Sequence, residues 1–444
     1  MRIIYLLMKI FLNYPLAVYY SRRKMVNSPK QIFGRTIYVS NHASSFMDPL
    51  IVAGFNWPSI FFMTRSDVFT TFSKPFMWAA QTLPIYRQLD GKNATKKNDA
   101  VFKRCAKILS IGQNLIVFGE GFTDDTFIRR LKPVKKGAVR IGFIALEKMN
   151  WKKKVYICAV GCNYSDPKEM RSDLLISYSD KICLNDFKEE YEENPAKVIT
   201  DLTRRIEVLM QAQISDNRKL ELAPLHENIM KITRKGMSFP NFDRKISLLK
   251  RWKYSQKLAL WLNDDARNQE ELATIKSTLE DYNASLEKVK ISEQLLFWKK
   301  ENPTGSRSKE ILYLVLMAPF ALLGTIHAGI PYLWVKSFTE KTMKRPVFWS
   351  SVKLFLGVIT IALFNIILLA ILYNTIELGV SGWWLILYFF VVIGFTAPVF
   401  YDWMTTLKSF KEKGEVNGMN LGELIKEREK VEKDVAMFLG EEFK

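Results

Sequence analysis

His42 and Asp48 stand six residues apart in SNHASSFMD, residues 40–48, and His42 is one of only three histidines in 444 residues. An imidazole can take a proton from a hydroxyl near neutral pH because its unperturbed pKa is ~6.5. It needs an oriented ring, and a carboxylate accepting the other ring N–H fixes the tautomer and stabilises the imidazolium that forms. If the substrate brings the hydroxyl, no serine is required. Residues six apart on a regular helix are ~120° out of register, so a dyad requires His42 on a loop or first turn with Asp48 folding back. Asn41, Ser44 and Ser45 suit such a bend, because their side chains favour caps and turns. A capping motif at a strand-to-helix junction explains the same string.

The surrounding elements must position these groups. RTIYVS runs directly into the His42 stretch, and NLIVFGE ends on Glu120; with SIFFMT and VYICAVGCNY they read as strands, alternating with helical patterns such as NDAVFKRCAKIL and KKGAVRIGFIALEK. Over residues 31–185 that alternation predicts an α/β domain with a largely parallel sheet, whose working groups sit on loops at strand ends. Arg87, in LPIYRQLDG, offers a planar fork that grips a phosphate, and Lys135 or Lys136 can add point charge or simply face solvent and lipid headgroups. Glu120, between Gly119 and Gly121, can hold substrate hydroxyls or brace the loop.

Taken in order, these stretches resemble the glycerolipid acyltransferase family. Its first motif, N-H-x-x-x-x-D, is matched by Asn41, His42 and Asp48; its phosphate-binding arginine falls on Arg87; its third motif appears as FGEG, with Phe118, Glu120 and Gly121. Gly119 replaces that motif's proline, which would loosen the loop, Thr123 stands where many members have arginine, and Ala159 replaces the proline of the fourth motif. Leu131, Pro133, Lys135, Gly137, Asn163, Tyr164, Arg171 and Ser172 fit the layout of the fungal-type glycerol-3-phosphate and dihydroxyacetone-phosphate acyltransferase branch. The resemblance covers about residues 35–185. It implies catalysis by His42 and Asp48, substrate binding by Arg87, Glu120, Gly121 and Lys135, direct attack on a thioester without an acyl-enzyme, and no metal or cofactor beyond an acyl-CoA or acyl carrier protein co-substrate.

Lys plus Arg number 65 against 45 Asp plus Glu, so the chain carries a formal +20 and should meet anionic partners. Runs without a formally charged residue at Ile311–Trp334, Leu354–Thr375 and Leu378–Tyr401 are each long enough to cross a bilayer, which favours membrane lipid over nucleic acid as partner. Residues 1–30 read as a membrane-interface helix with a basic SRRK flank, 186–310 as a helical linker or insertion, and 402–444 as a charged cytoplasmic tail. His226, in APLHENIM, reads as a surface or capping histidine, and the four cysteines as free thiols in a reducing compartment. The loop between the first two apolar runs carries Lys336, Lys341, Lys344, Arg345 and Lys353, and the positive-inside rule puts it in the cytoplasm together with the catalytic domain. Both conditions hold if 311–334 is a re-entrant hairpin broken at Pro319, Gly324, Gly329 and Pro331; a plain transmembrane segment is the alternative.

The resulting expectation is a membrane-bound O-acyltransferase acting on glycerol 3-phosphate or dihydroxyacetone phosphate. A lysophosphatidate or amino-lipid acyltransferase, and a non-catalytic scaffold binding acidic lipid, are the alternatives.

Overall fold

The computed structural model describes residues 3–30, 34–55, 59–71, 73–86, 94–375 and 381–443. They divide into two units: Met1–His226 with Lys235–Phe239 and Arg244–Asp264, and Glu227–Arg234 with Pro240–Asp243 and Asp265–Lys444.

Its sheet has eight strands: β1 (Tyr20–Val26), β2 (Thr36–Ser40), β3 (Ile60–Arg65), β4 (Thr82–Ile85), β5 (Asn114–Phe118), β6 (Tyr156–Tyr164), β7 (Ser172–Tyr178) and β8 (Ile182–Cys183). The order is β1-β7-β6-β2-β5-β3-β4, with β8 beside β6. Pairing is parallel except where β6 meets β7 and β8. All five residues of β2 are buried, as a central parallel strand covered on both faces requires.

Helices α1 (Ile3–Tyr19), α2 (Met47–Phe55), α3 (Lys74–Ala79), α4 (Ala94–Ser110), α5 (Gly137–Lys148), α6 (Lys188–Glu193), α7 (Pro195–Gln211), α8 (Ala223–Thr233) and α9 (Leu248–Leu262) follow in chain order. In α7, Val198, Leu202, Ile206 and Met210 recur every four residues and pack in one core with Ile37, Leu115 and Ile157 of the sheet. Asn194 caps that helix by accepting from Lys197 N–H at 3.1 Å, and Pro195 occupies its first turn, where a missing N–H costs nothing.

Two expectations need correction. Residues 1–30 are not one interfacial helix: α1 stops at Tyr19, and YSRRKMV is an edge strand whose Arg22 pairs with buried Asp173 at 2.7 Å. The basic run concealed the strand because an edge tolerates outward-facing charge. α1 itself exposes Ile3, Ile4, Leu7, Ile10 and Phe11, an apolar face that suits a lipid interface. His226 is not on the surface either. It is fully buried, and its Nε2 donates to the Ser255 carbonyl at 2.9 Å.

The second unit contains α10 (Gln269–Val289), α11 (Glu293–Glu301), α12 (Ser308–Gly324), α13 (Ile330–Thr342), α14 (Trp349–Thr375), α15 (Gly382–Leu387), α16 (Gly394–Asn417) and α17 (Gly422–Leu439). Arg428 of α17 is buried against Glu293 of α11 at 2.8 Å; within 402–444, α16 continues to Asn417 and α17 packs on α10. Among the described residues three helices, Ser308–Thr342, Pro346–Thr375 and Gly382–Asn417, are long and apolar enough to cross a membrane, which makes this a membrane protein by length and composition. Part of the Leu378–Tyr401 run lies outside the described residues.

Residues 311–334 stay helical throughout, joined by a π turn at Thr325–Gly329 that coincides with the break points read from Gly324, Gly329 and Pro331. A Cβ at Gly324 would already meet Phe400 of α16, and Tyr332, eight residues further on, still packs on Phe400 and Tyr401.

Candidate active site

The register of the central strands assembles the site. Ser40 pairs with Phe118 and with Val160, so His42 and Glu120, each two residues further on and just past their strands, lie at the same end of the sheet as Cys162 within β6. Asn41 ties two of these ends together: its side chain donates to the Cys162 carbonyl at 3.1 Å and accepts from the Cys162 N–H at 2.8 Å. This is a strand-like bridge that a backbone leaving the sheet could no longer make.

After Asn41 the chain bends as expected, with Ser45 in the left-handed region at φ 51° and Asp48 in the first turn of α2. His42 Nδ1 lies 2.9 Å from Asp48 Oδ2, and the same oxygen accepts from Ser44 N–H at 2.9 Å. The Phe118 ring stacks on the imidazole at 4.2 Å. The His42 side chain keeps 20% of its surface exposed while Asp48 is wholly buried. Nε2 has no hydrogen-bond partner among the described residues, so one ring nitrogen is held and the other is presented outward. A neutral imidazole held by its Nδ1–H has its lone pair on Nε2, the arrangement of a general base.

Glu120 braces this bend. One carboxylate oxygen accepts from the backbone N–H of His42 at 3.0 Å and the other faces Lys132 Nζ at 3.0 Å, all in buried surroundings. Burial pushes its carboxyl up from the ordinary value, against the downward pull of Lys132 and of the His42 N–H. Each oxygen thus has a partner within the chain, an arrangement that braces the bend behind His42.

Gly119 does not loosen the loop. Its N–H donates to the Ser40 carbonyl at 3.0 Å, a bond proline cannot make, and a Cβ there would crowd Val39 and Val134. Gly121 has φ +78°, and a side chain there would collide with the Lys135 ammonium, which lies across it. Lys135 is exposed, whereas Lys136 is engaged with Thr200 Oγ1 at 2.7 Å. Arg87 lies outside the described residues.

Three residues take roles in the site that their sequence surroundings do not announce. Lys132 sits inside the charge run RRLKPVKK, where nothing distinguishes it from a solvated lysine. Arg129 donates to the carbonyls of Tyr164, Ser165 and Met237, fastening the segment after Glu120. Tyr164 donates its hydroxyl to Asp48 Oδ1 at 2.6 Å. Cys162 is no nucleophile in reserve: burial, and then the Asp48 charge, hold its thiol well above the usual range.

No curated protein matches the chain. Residues 22–163 match the family model described as Acyltransferase, a span that opens within β1 and closes one residue before Tyr164. The span similar to that family holds the strands and the bend that bring His42, Asp48 and Glu120 together.

Proposed function

We propose that the chain moves a fatty acyl group from acyl-CoA or acyl carrier protein to a hydroxyl of glycerol 3-phosphate or dihydroxyacetone phosphate at the membrane surface. The observation that carries this reading is the His42 imidazole, anchored through Nδ1 on a buried carboxylate and open at Nε2. In the reaction Nε2 takes the hydroxyl proton as the oxygen attacks the thioester carbonyl. The tetrahedral intermediate then collapses, the C–S bond breaks, and the imidazolium returns the proton to the departing thiolate. Asp48 stabilises the imidazolium between the two steps. Lys135 at the mouth of the Gly119–Gly121 loop, with Arg87, supplies positive charge for the acceptor phosphate.

The test uses the full chain in detergent or vesicles. His42→Ala and Asp48→Ala proteins are assayed for release of thiol from a long-chain acyl-CoA, with glycerol 3-phosphate, dihydroxyacetone phosphate and 1-acylglycerol 3-phosphate offered separately. Losses of about 100- to 10,000-fold are expected, the usual contribution of a positioned acid–base group; rates equal to wild type refute the dyad. The acceptor turned over fastest identifies the substrate class, and turnover only of the lysolipid displaces the glycerol phosphate reading.

The reading also places the catalytic domain in the cytoplasm, with 311–334 as a re-entrant segment that returns the chain to the same side. The basic loop of Lys341, Lys344 and Arg345 supports this. A Lys344→Cys protein should react with an impermeant maleimide added to the cytoplasmic face. Reaction only from the opposite face makes 308–342 a simple span.

A further inference from the structure

Asp48 is fully buried, and each of its oxygens is engaged. Oδ2 accepts from the His42 ring and the Ser44 N–H. Oδ1 accepts from the hydroxyl of Tyr164, the last residue of β6 and 116 positions away in sequence. Tyr164 is itself completely buried, its ring 5.7 Å from that of Tyr20 and edge-on to Phe127 at 6.3 Å. Its backbone carbonyl is gripped by Arg129. The phenol is therefore fixed at both ends of the residue. Burial, and then the Asp48 charge, push its ionisation well above the ordinary value, so it stays protonated and donates.

We propose that Tyr164 is a positioning residue for acyl transfer, completing a His42–Asp48–Tyr164 relay in which the phenol sets the plane of the carboxylate opposite the imidazole. This rests on the reading of His42 as the base. A carboxylate held through one oxygen alone can rotate about its Cβ–Cγ bond, and a buried oxygen left without a donor carries an unpaid desolvation cost. Both effects fall on the same partner. Without the phenol, Asp48 takes up a proton more readily and, while still ionised, attracts the imidazolium more strongly. Each consequence moves the loss of a neutral, oriented His42 to higher pH. The other titratable groups facing the pair are Glu120 with Lys132 behind it, Cys162 and Tyr20; burial keeps the last two neutral.

The experiment compares wild type with Tyr164→Phe, which preserves the ring packing against Tyr20 and Phe127. With three histidines in the chain, the full-length protein labelled with 15N at histidine gives few ring signals, and the His42→Ala spectrum assigns those of His42. In Tyr164→Phe the pH response of the His42 ring signals is expected to move from that of wild type, toward higher pH. Turnover is expected to fall about 10-fold while KM for both substrates stays within about two-fold, the pattern of a lost transition-state interaction. In an Asp48→Asn background the same replacement should change nothing further, because its effect passes through that carboxylate. An unmoved pH response with full turnover overturns the proposal. If His42→Ala is inactive while Tyr164→Phe behaves as wild type, only the role of Tyr164 falls; if His42→Ala remains active, the base reading itself falls. The titration needs no substrate, so it decides independently of acceptor identity.

Discussion

The backbone N–H of His42 donates to the buried carboxylate of Glu120 at 3.0 Å across 78 residues of sequence, and Lys132 holds the other oxygen of that carboxylate. Glu120 thus acts on His42 from behind, while Asp48 acts on its ring. Removing the cation should therefore harm catalysis without touching substrate. Lys132→Met leaves Glu120 buried without its main counter-charge, a loss of about 3 kcal/mol, at the low end for a broken buried pair because Glu120 can take up a proton. Glu120→Gln should be milder, since an amide oxygen still accepts from the His42 N–H and Lys132 keeps Asp124 at 3.3 Å. Thermal unfolding and turnover of both proteins check this ranking, and a harsher effect from Glu120→Gln contradicts it.

Glu120 also predicts a pH dependence. Its carboxyl is raised in the folded chain, chiefly by burial. The native state then holds that proton more tightly than the unfolded state does. The contribution to stability is complete below the ordinary carboxylate value and is lost as pH rises through the raised folded value. Other carboxyls shift too, Asp216 and Glu293 upward and Asp124 downward, so the quantity to measure is the difference between wild type and Glu120→Gln. Stability of wild type relative to the variant should fall with rising pH across the weakly acid range and level off above it. A difference that grows with pH contradicts the assignment.

Much of this site could be read before any coordinates. β2, β5 and β6 are largely buried, so each carries an apolar core, IYV, LIVF and ICAV, and the polar residues that follow stand out by contrast. The bend between His42 and Asp48 was legible because Asn and Ser at a strand exit have few other uses. What stayed hidden depends on partners distant in sequence. Nothing near Tyr164 announces a carboxylate 116 residues upstream, and nothing within RRLKPVKK marks Lys132 as the buried member. β1 was hidden because an edge strand may carry Arg22 and Lys24 outward. His226 was misjudged because its partners, Asn217 and Ser255, come from two separate segments.

A second polar cluster joins the three apolar helices. His327 Nδ1 donates to Asn365 Oδ1 at 2.6 Å, Tyr388 donates to His327 Nε2 at 2.8 Å, and Asn365 Nδ2 donates to the His327 carbonyl at 2.8 Å. His327 and Tyr388 both lie in π turns. Such a turn disturbs the regular hydrogen-bond ladder, and a side chain from another helix satisfies the freed group. Asn365→Leu removes two interhelical bonds and leaves that carbonyl without the side chain. Single bonds of this kind are worth ~0.6 kcal/mol on average and up to ~1.7, so the expected loss is about 1–2 kcal/mol, read as a lower unfolding midpoint in detergent. Asn374→Leu is the control. That residue is exposed, and its amide bonds only to Ala370 of its own helix at 2.7 Å, so its replacement should leave the midpoint unchanged. Equal effects at the two positions would mean that the cluster does not hold the helices together.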